Sequence, residues 1–235
     1  MLKRLLFVLV CSLPVFVQAQ KKILTPESFN AIDVFGPFEV ELIRSDKNRV
    51  ELDYRRVNSD DVVAEVSRNT LKLKLRNRHY FNDWSSESKW DEYIRVKVYY
   101  TDIDEIKAQA GAIVTSADQV KSKNLAVECS MGAELSLDIL AKNLYVKSTM
   151  GAVSRLTGRA EYMEVKSSMG GVVKASQLQT KTGFVKASMG AEVFVFVTDE
   201  IEVSAGLGAA VDYIGSPAVR HTNTNFGAEV RGREQ

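Results

Sequence analysis

Glycoside cleavage is the first chemistry to look for, because it needs only two carboxylates about 5 to 9.5 Å apart across a groove. Glu134 and Glu192 are the natural pair, since each follows the same Met-Gly-Ala triplet. Asp138, Asp199, Glu200, Glu202 and Asp212 are scattered in the manner of solvated surface acids, and neither His79 nor His221 has an obvious partner. A second arrangement is Ser86-x-x-Lys89, Ser122-x-Asn124 and Lys181-Thr182-Gly183, in the order used by penicillin-recognising enzymes. That chemistry needs a helix start to aim the serine, and Ser86 sits instead in a polar, aromatic run. Calcium needs six to eight clustered oxygens, and no Asp-x-Asp-x-Asp spacing exists. Two Cys and two His are too few for a zinc site or a disulfide framework. The expectation is therefore no catalytic residues, no metal and no cofactor.

Recognition is better represented. Residues 76–93, RNRHYFNDWSSESKWDEY, hold both tryptophans, Trp84 and Trp90, with Tyr80, Phe81 and Tyr93. So long a loop inside a compact domain is usually functional or disordered. Aromatics among Asn, Asp and Ser suit stacking on sugar faces or a protein hot spot. They equally suit a hydrophobic lid folded back over the first coil. Replacing Trp84 and Trp90 by Ala separates the two: binding is lost in one case, melting temperature in the other. Phe194 and Phe196 stand at positions that are polar elsewhere, either as a self-association patch or under the C-terminal tail.

Residues 1–20, MLKRLLFVLVCSLPVFVQAQ, have a basic start, an apolar stretch and a Val-Gln-Ala cleavage site, the layout of a secretory signal. The stretch is short of the about 20 apolar residues of a membrane span. Cys11 follows Val10, where a lipoprotein signal wants a small residue. Removal of Lys3 and Arg4 takes the formal charge from +1 to −1, which gives no electrostatic footprint for nucleic acid. Cys129 is then the sole thiol, read as a small core residue, with an intermolecular bridge as the alternative.

These candidates hang on a repeated element. QAGAIV, SMGAEL, TMGAVS, SMGGVV, SMGAEV, GLGAAV and FGAEV align on Gly111, Gly132, Gly151, Gly170, Gly190, Gly208 and Gly227, spaced 21, 19, 19, 20, 18 and 19 residues apart. Five before the glycine stand Ile106, Val127, Val146, Val165, Val185 and Val203; three before it, only small residues such as Ala108, Cys129, Ser148 and Ser167. One before it stand Met131, Met150, Met169, Met189, Leu207 and Phe226. The intervening positions are polar, so strict alternation marks strands with one buried face. On that parity the methionines belong to the inner face. A 19-residue unit of short strands cannot bury its inner face alone, and stacked copies can. Lys147, Lys166 and Lys186 then form an outer column of like charge. The expectation is an all-β, right-handed parallel β-helix, or β-solenoid, of ~19-residue coils.

The first half is looser. Strands are expected around Gly36-Pro37, at Val50 to Tyr54, at Val62 to Val66, at Leu71 to Leu75 and at Ile94 to Tyr100. They are either irregular first coils or a small sheet covering the open edge of the solenoid. The organisation is thus 1–19 signal peptide, 20–105 N-terminal β region, 106–231 regular repeats and 232–235 polar tail.

The chain resembles the auto-transporter adhesin head domain, the GIN domain, of exported Bacteroidetes-type proteins. FNAIDVFGPFEVEL, NRVELDYRR and NTLKLKL resemble its opening, SMGAE at Ser130 and Ser188 its repeated turn, and Tyr213-Ile-Gly-Ser-Pro217 its closing segment. Here Met replaces the family's common Ser before the glycine, and the earlier glycine of the turn survives only at Gly206. The resemblance implies a right-handed β-helix on an exported envelope protein and carries no catalytic signature.

The reading is an exported, non-enzymatic cell-envelope scaffold or adhesion and binding module in the periplasm, on the outer-membrane surface or secreted. The alternative is a polysaccharide-acting β-helix lyase or hydrolase. Partners would be a glycan, an envelope protein or a second copy in a homo-oligomer; no nucleic acid and no integral membrane span are expected.

Overall fold

A computed structural model describes residues 21–26, 28–53, 59–76 and 93–233. It is all-β, with one 3-10 turn among the described residues, at Ser59–Asp61, and its stacked coils form a β-solenoid of about 7 turns. The early strands are β1 (Lys21–Leu24), β2 (Ala31–Phe35), β3 (Phe38–Arg44), β4 (Arg49–Asp53), β5 (Val62–Ser67), β6 (Thr70–Leu75) and β7 (Ile94–Tyr100). Next come β8 (Glu105–Gln109), β9 (Ile113–Ser116), β10 (Val120–Ser130) and β11 (Glu134–Thr149). The last are β12 (Val153–Ser168), β13 (Val172–Ala187), β14 (Glu192–Ala205), β15 (Ala210–Ile214), β16 (Val219–Thr224) and β17 (Glu229–Arg233).

From β8 onward every rung is parallel and the repeat columns beside the turns stay in register, with shifts at Arg155–Thr157 on β12 and at Ala175–Gln179 and Thr180–Thr182 on β13. Val127 pairs with Ile106 and Val146, Val165 with Val146 and Val185, and Val203 with Val185. Like therefore stacks on like, and the Val column is almost completely shielded from water. From Ala108 to Ala205 the small residues three before the repeat glycines line the tight interior behind the turn. Ser148 Oγ donates there to Ala152 O at 3.1 Å, Ser167 Oγ donates to Gly171 O at 2.9 Å, and Cys129 Sγ donates to Ala133 O at 3.3 Å. A buried hydroxyl is tolerated because the turn supplies it with an acceptor.

The turn also overturns the inward placement of the methionines. Met131, Met150, Met169 and Met189 have φ of 51° to 55°, and each following glycine is also left-handed, Gly151 at 70°. Two consecutive left-handed residues make a type I′ turn, closed by Ala152 N–H donating to Thr149 O at 3.3 Å. The two-residue alternation holds only for extended backbone, so a left-handed residue swings its side chain off the expected face. The methionines are 39–48% exposed, Leu207 53% and Phe226 77%. They do form a ladder, with each turn glycine's N–H donating to the carbonyl one coil on, as Gly132 N does to Met150 O at 3.0 Å. The ladder is an outer ridge, and the core is closed without it.

The N-terminal half proves to be both coils and cap. β2 pairs in parallel with β6 and β8, and β3 with β7 and β9, so the β2–β3 coil lies between the β6–β7 and β8–β9 coils. The chain thus starts one coil in, makes the outermost coil second, then returns. Three antiparallel strands cover that outer edge: β5 on β6, β4 on β7, and β1 on β4. Val50 and Leu52 on β4 complete the core at this end. Covering an edge in this way blunts the template that unpaired strands present.

Candidate functional site

Glu134 and Glu192 do share a column. Three rungs separate them, Glu134 over Val153, Val172 and then Glu192, which is about 14 Å at strand spacing. Glu134 Oε2 accepts from Arg155 Nη1 at 2.7 Å, so it serves as an ion-pair partner on the surface. Of the penicillin-type triple, Ser86 and Lys89 lie outside the described residues. Ser122 Oγ donates to Asp104 Oδ1 at 2.8 Å, and Lys181 lies three coils away, again about 14 Å. No group of three or more His, Cys, Asp or Glu side chains comes together among the described residues.

Tyr80, Phe81, Trp84 and Trp90 lie outside the described residues, as do residues 1–19, where the sequence predicts a signal peptide. Tyr93, immediately before β7, is 40% exposed. Phe194 and Phe196 are half-buried on the outward row of β14, Phe194 between Lys174 and Asp212, Phe196 between Gln179 and Ile214.

The structure assembles a different aromatic group on the sheet face that leads into the I′ turns. Tyr145 shares a column with Ala126, Glu164, Phe184 and Glu202, and Tyr162 stands in the next outward column with Asn143, Thr182 and Glu200. Because columns two residues apart point the same way, the rings of Tyr145, Tyr162 and Phe184 zigzag up three successive coils. Centroids are 6.1 Å apart for Tyr145–Tyr162 and 5.4 Å for Tyr162–Phe184, both within the range of tilted aromatic pairs. Tyr145 is 43% exposed, and the other two are half-buried. One rung from Tyr145 the column holds only Ala126, which leaves a depression of about 250 Å³ bounded by Glu128, Lys147, Glu164 and Lys166.

The charges around these rings are organised. Lys147 Nζ lies 2.8 Å from Glu128, Lys166 2.6 Å from Glu164, and Lys107 2.7 Å from Glu105. Lys147 and Lys166 are thus paired with acids of their own and the adjacent column, where the sequence suggested bare repulsion, while Lys186 is in no ion pair among the described residues. The hydrogen bond to Glu164 raises the pKa of Lys166, as the one to Glu105 does for Lys107. Burial, with Glu164 nearby, pushes the Tyr162 hydroxyl up. Asn143 Nδ2 donates to Asn124 Oδ1 at 2.7 Å along the next row. Rings bordered by paired charges and amides form a flat, amphipathic surface suited to binding a polar molecule that has an apolar face.

Sequence reasoning passed over these three rings. The usable signal lies six residues before the repeat glycine, in an outward column that reads Glu105, Ala126, Tyr145, Glu164, Phe184 and Glu202. Tyr145 and Phe184 break its polar pattern, as Phe194 and Phe196 do in theirs. Tyr162 joins them only through the zigzag between columns.

No curated protein matches the chain. A solved structure of a "putative adhesin" from Bacteroides fragilis superposes with a TM-score of 0.80 at 16% identity, covering 91% of this chain and 96% of that one. A "putative adhesin" from Parabacteroides distasonis gives 0.63 at 15% identity, with 91% and 96% covered. A "putative lipid binding protein" from the same organism gives 0.64 at 14% identity, again with 91% and 96% covered. At such identities the likeness is one of fold. Among the described residues no helix is long and apolar enough to cross a membrane. The model of the family described as "Putative auto-transporter adhesin, head GIN domain" matches residues 28–217, which takes in the solenoid from its first coil to the Gly215 turn, and the chain belongs to that family.

Proposed function

We propose that this chain is an exported, non-catalytic adhesion module that holds glycan against the face bearing Tyr145, Tyr162 and Phe184. The observation that carries the reading is the three-ring zigzag itself. A solenoid that needed only solubility would place polar residues at all three positions, as it does at Glu164, Glu202 and Thr182. The adhesin family supports a binding role, and the secretory layout of residues 1–19 supports export. The engagement of Glu128, Glu134 and Glu164 in ion pairs supports a surface that binds without turnover. Sugar rings present an apolar face edged by hydroxyls. The aromatics would take the face, and Glu128, Lys147 and the Asn124–Asn143 pair would take the edges.

The test is binding to a panel of neutral and acidic glycans by the full chain and by Tyr145→Ala/Tyr162→Ala/Phe184→Ala. Loss of about tenfold or more in affinity for neutral glycans, with unchanged circular dichroism, is expected from removing stacked rings. Undiminished neutral-glycan binding by the triple variant refutes the assignment of the face. Release of shorter sugars during incubation refutes the non-catalytic reading. Trp84→Ala/Trp90→Ala, run in parallel, reports whether the 76–93 loop shares the ligand.

A further inference from the structure

The coils bend between their two sheet faces, and the ladder marks the bend by omitting one residue per coil. Pairing runs through Ser122–Ala141, Ala141–Ala160 and Ala160–Thr180, then resumes two residues later at Asn124–Asn143, Asn143–Tyr162 and Tyr162–Thr182. The omitted residues are Lys123, Lys142, Glu161 and Lys181. Small residues form the floor of the bend, and the long side chains on either side of it stand up as walls. The result is a groove of about 740 Å³ running along the solenoid axis across successive coils.

Five cations line it: Lys121, Lys123, Lys142, Arg159 and Lys181. Only Glu161 and Asp199 oppose them, and Asp199 already accepts from Thr198 Oγ1 at 2.6 Å. By contrast Lys107, Lys147, Lys166 and Arg155 are each tied to a glutamate. Among the described residues, none of the five groove cations is in an ion pair. A chain close to neutral overall thus gathers five cations without ion-pair partners around one recess.

From this geometry we infer that the bend groove binds a linear acidic glycan, laid along the solenoid axis with its anionic groups against these five cations. The cations span three rungs, about 14 Å, a reach that fits an extended chain of repeated charge rather than a single ion. Four of the five are lysines, compact and hydrated point charges that tolerate variable anion spacing, where fixed phosphate recognition would favour arginine forks. Binding of single-stranded nucleic acid relies on aromatic platforms for the bases, and no aromatic residue lines this groove. A flat anionic bilayer would touch only the rims and leave the floor unfilled. Carboxylate- and sulfate-bearing polymers offer the same chemistry to lysine, and the experiment separates them.

The groove and the aromatic face are independent claims, and one set of titrations distinguishes them. The full chain is titrated with polygalacturonate, dextran sulfate, neutral dextran and an oligothymidylate at low and at physiological salt. Binding to one or both acidic glycans, weakening as salt rises, is expected, with dextran and oligothymidylate far weaker. Lys142→Glu/Lys181→Glu should lower acidic-glycan affinity by about tenfold or more, whereas Lys47→Glu/Lys186→Glu, an equal charge change outside the groove, should cost much less. All four residues are exposed, so the variants retain the fold. Tyr145→Ala/Tyr162→Ala/Phe184→Ala should leave acidic-glycan binding intact, which keeps the groove's fate separate from that of the face. The inference is overturned if no acidic glycan binds, if dextran or oligothymidylate binds as tightly, or if the two charge-reversed pairs lose affinity equally. It is also overturned if only the aromatic triple variant loses acidic-glycan binding.

Discussion

Cys129 offers a quantitative test of how the solenoid interior is built. It occupies the same column as Ser148 and Ser167, fully buried, and all three donate to the carbonyl four residues ahead. Cys129→Ser therefore copies its neighbours and should change stability by no more than about 1 kcal/mol, the net worth of one hydrogen bond. Cys129→Val removes the donor and adds a methyl between the small side chains of Ala108 and Ser148, so it should cost about 1–3 kcal/mol by overpacking. The pH dependence is sharper still. Burial, above all, pushes the Cys129 thiol from 9.0 up to about 11. The unfolded chain releases this proton near pH 9 while the native state keeps it, so stability falls as pH rises from 9 to 11. Two pH units correspond to on the order of 3 kcal/mol. Urea unfolding followed by circular dichroism at pH 8, 9, 10 and 11 gives the comparison, because buried Tyr100, whose hydroxyl is also raised, titrates alike in both proteins. Between pH 9 and 11 the parent should lose more stability than Cys129→Ser by about that amount. Equal losses in the two proteins would show that the thiol is not desolvated, and the interior column would have to be redrawn.

The exposed ridge predicts that dilute hydrogen peroxide, with peptide mapping by mass spectrometry, oxidises Met131, Met150, Met169 and Met189 while sparing the fully buried Met163. Met150→Asn, which puts Asn-Gly in a type I′ turn, should leave stability within about 1 kcal/mol, where truncation of a core methionine would cost about 2–5. Glycine substitutions separate strain from collision. Gly151→Ala, at φ +70° in open space, should cost about 1 kcal/mol, the ordinary left-handed penalty. Gly158→Ala should cost at least about 3 kcal/mol in urea unfolding, because its Cβ would meet the Ile139 carbonyl oxygen in addition to a φ of +106°.

How far the fold could be read from the residues depends on distance along the chain. The repeat is local, so its glycines, its Val column and its small-residue column were all legible, and the structure stacks them as the spacing requires. The Met column was legible as a column and misplaced as to side. Ser130 and Thr149 err in the opposite sense, buried beside the turn although they stand on the polar parity. In both cases alternation was carried through a turn where the backbone is no longer extended. At the N-terminus the strands were visible but their stacking order was not, because β2 meets β6 and β8 only after a long excursion through the cap. Residues 76–93 drew attention by composition, whereas Tyr145, Tyr162 and Phe184 are ordinary residues in three different coils that become a surface only when stacked.

By itself, then, the amino-acid order determined that this chain winds into a parallel solenoid, since a 19-residue period of alternating strands has no other way to shield its inner face. Tertiary structure alone decided which side chains meet across coils. Lys147 finds Glu128, the rings align, and the groove cations gather without ion-pair partners, because these contacts join residues about 19 positions apart whose register is fixed by backbone pairing rather than by neighbouring sequence.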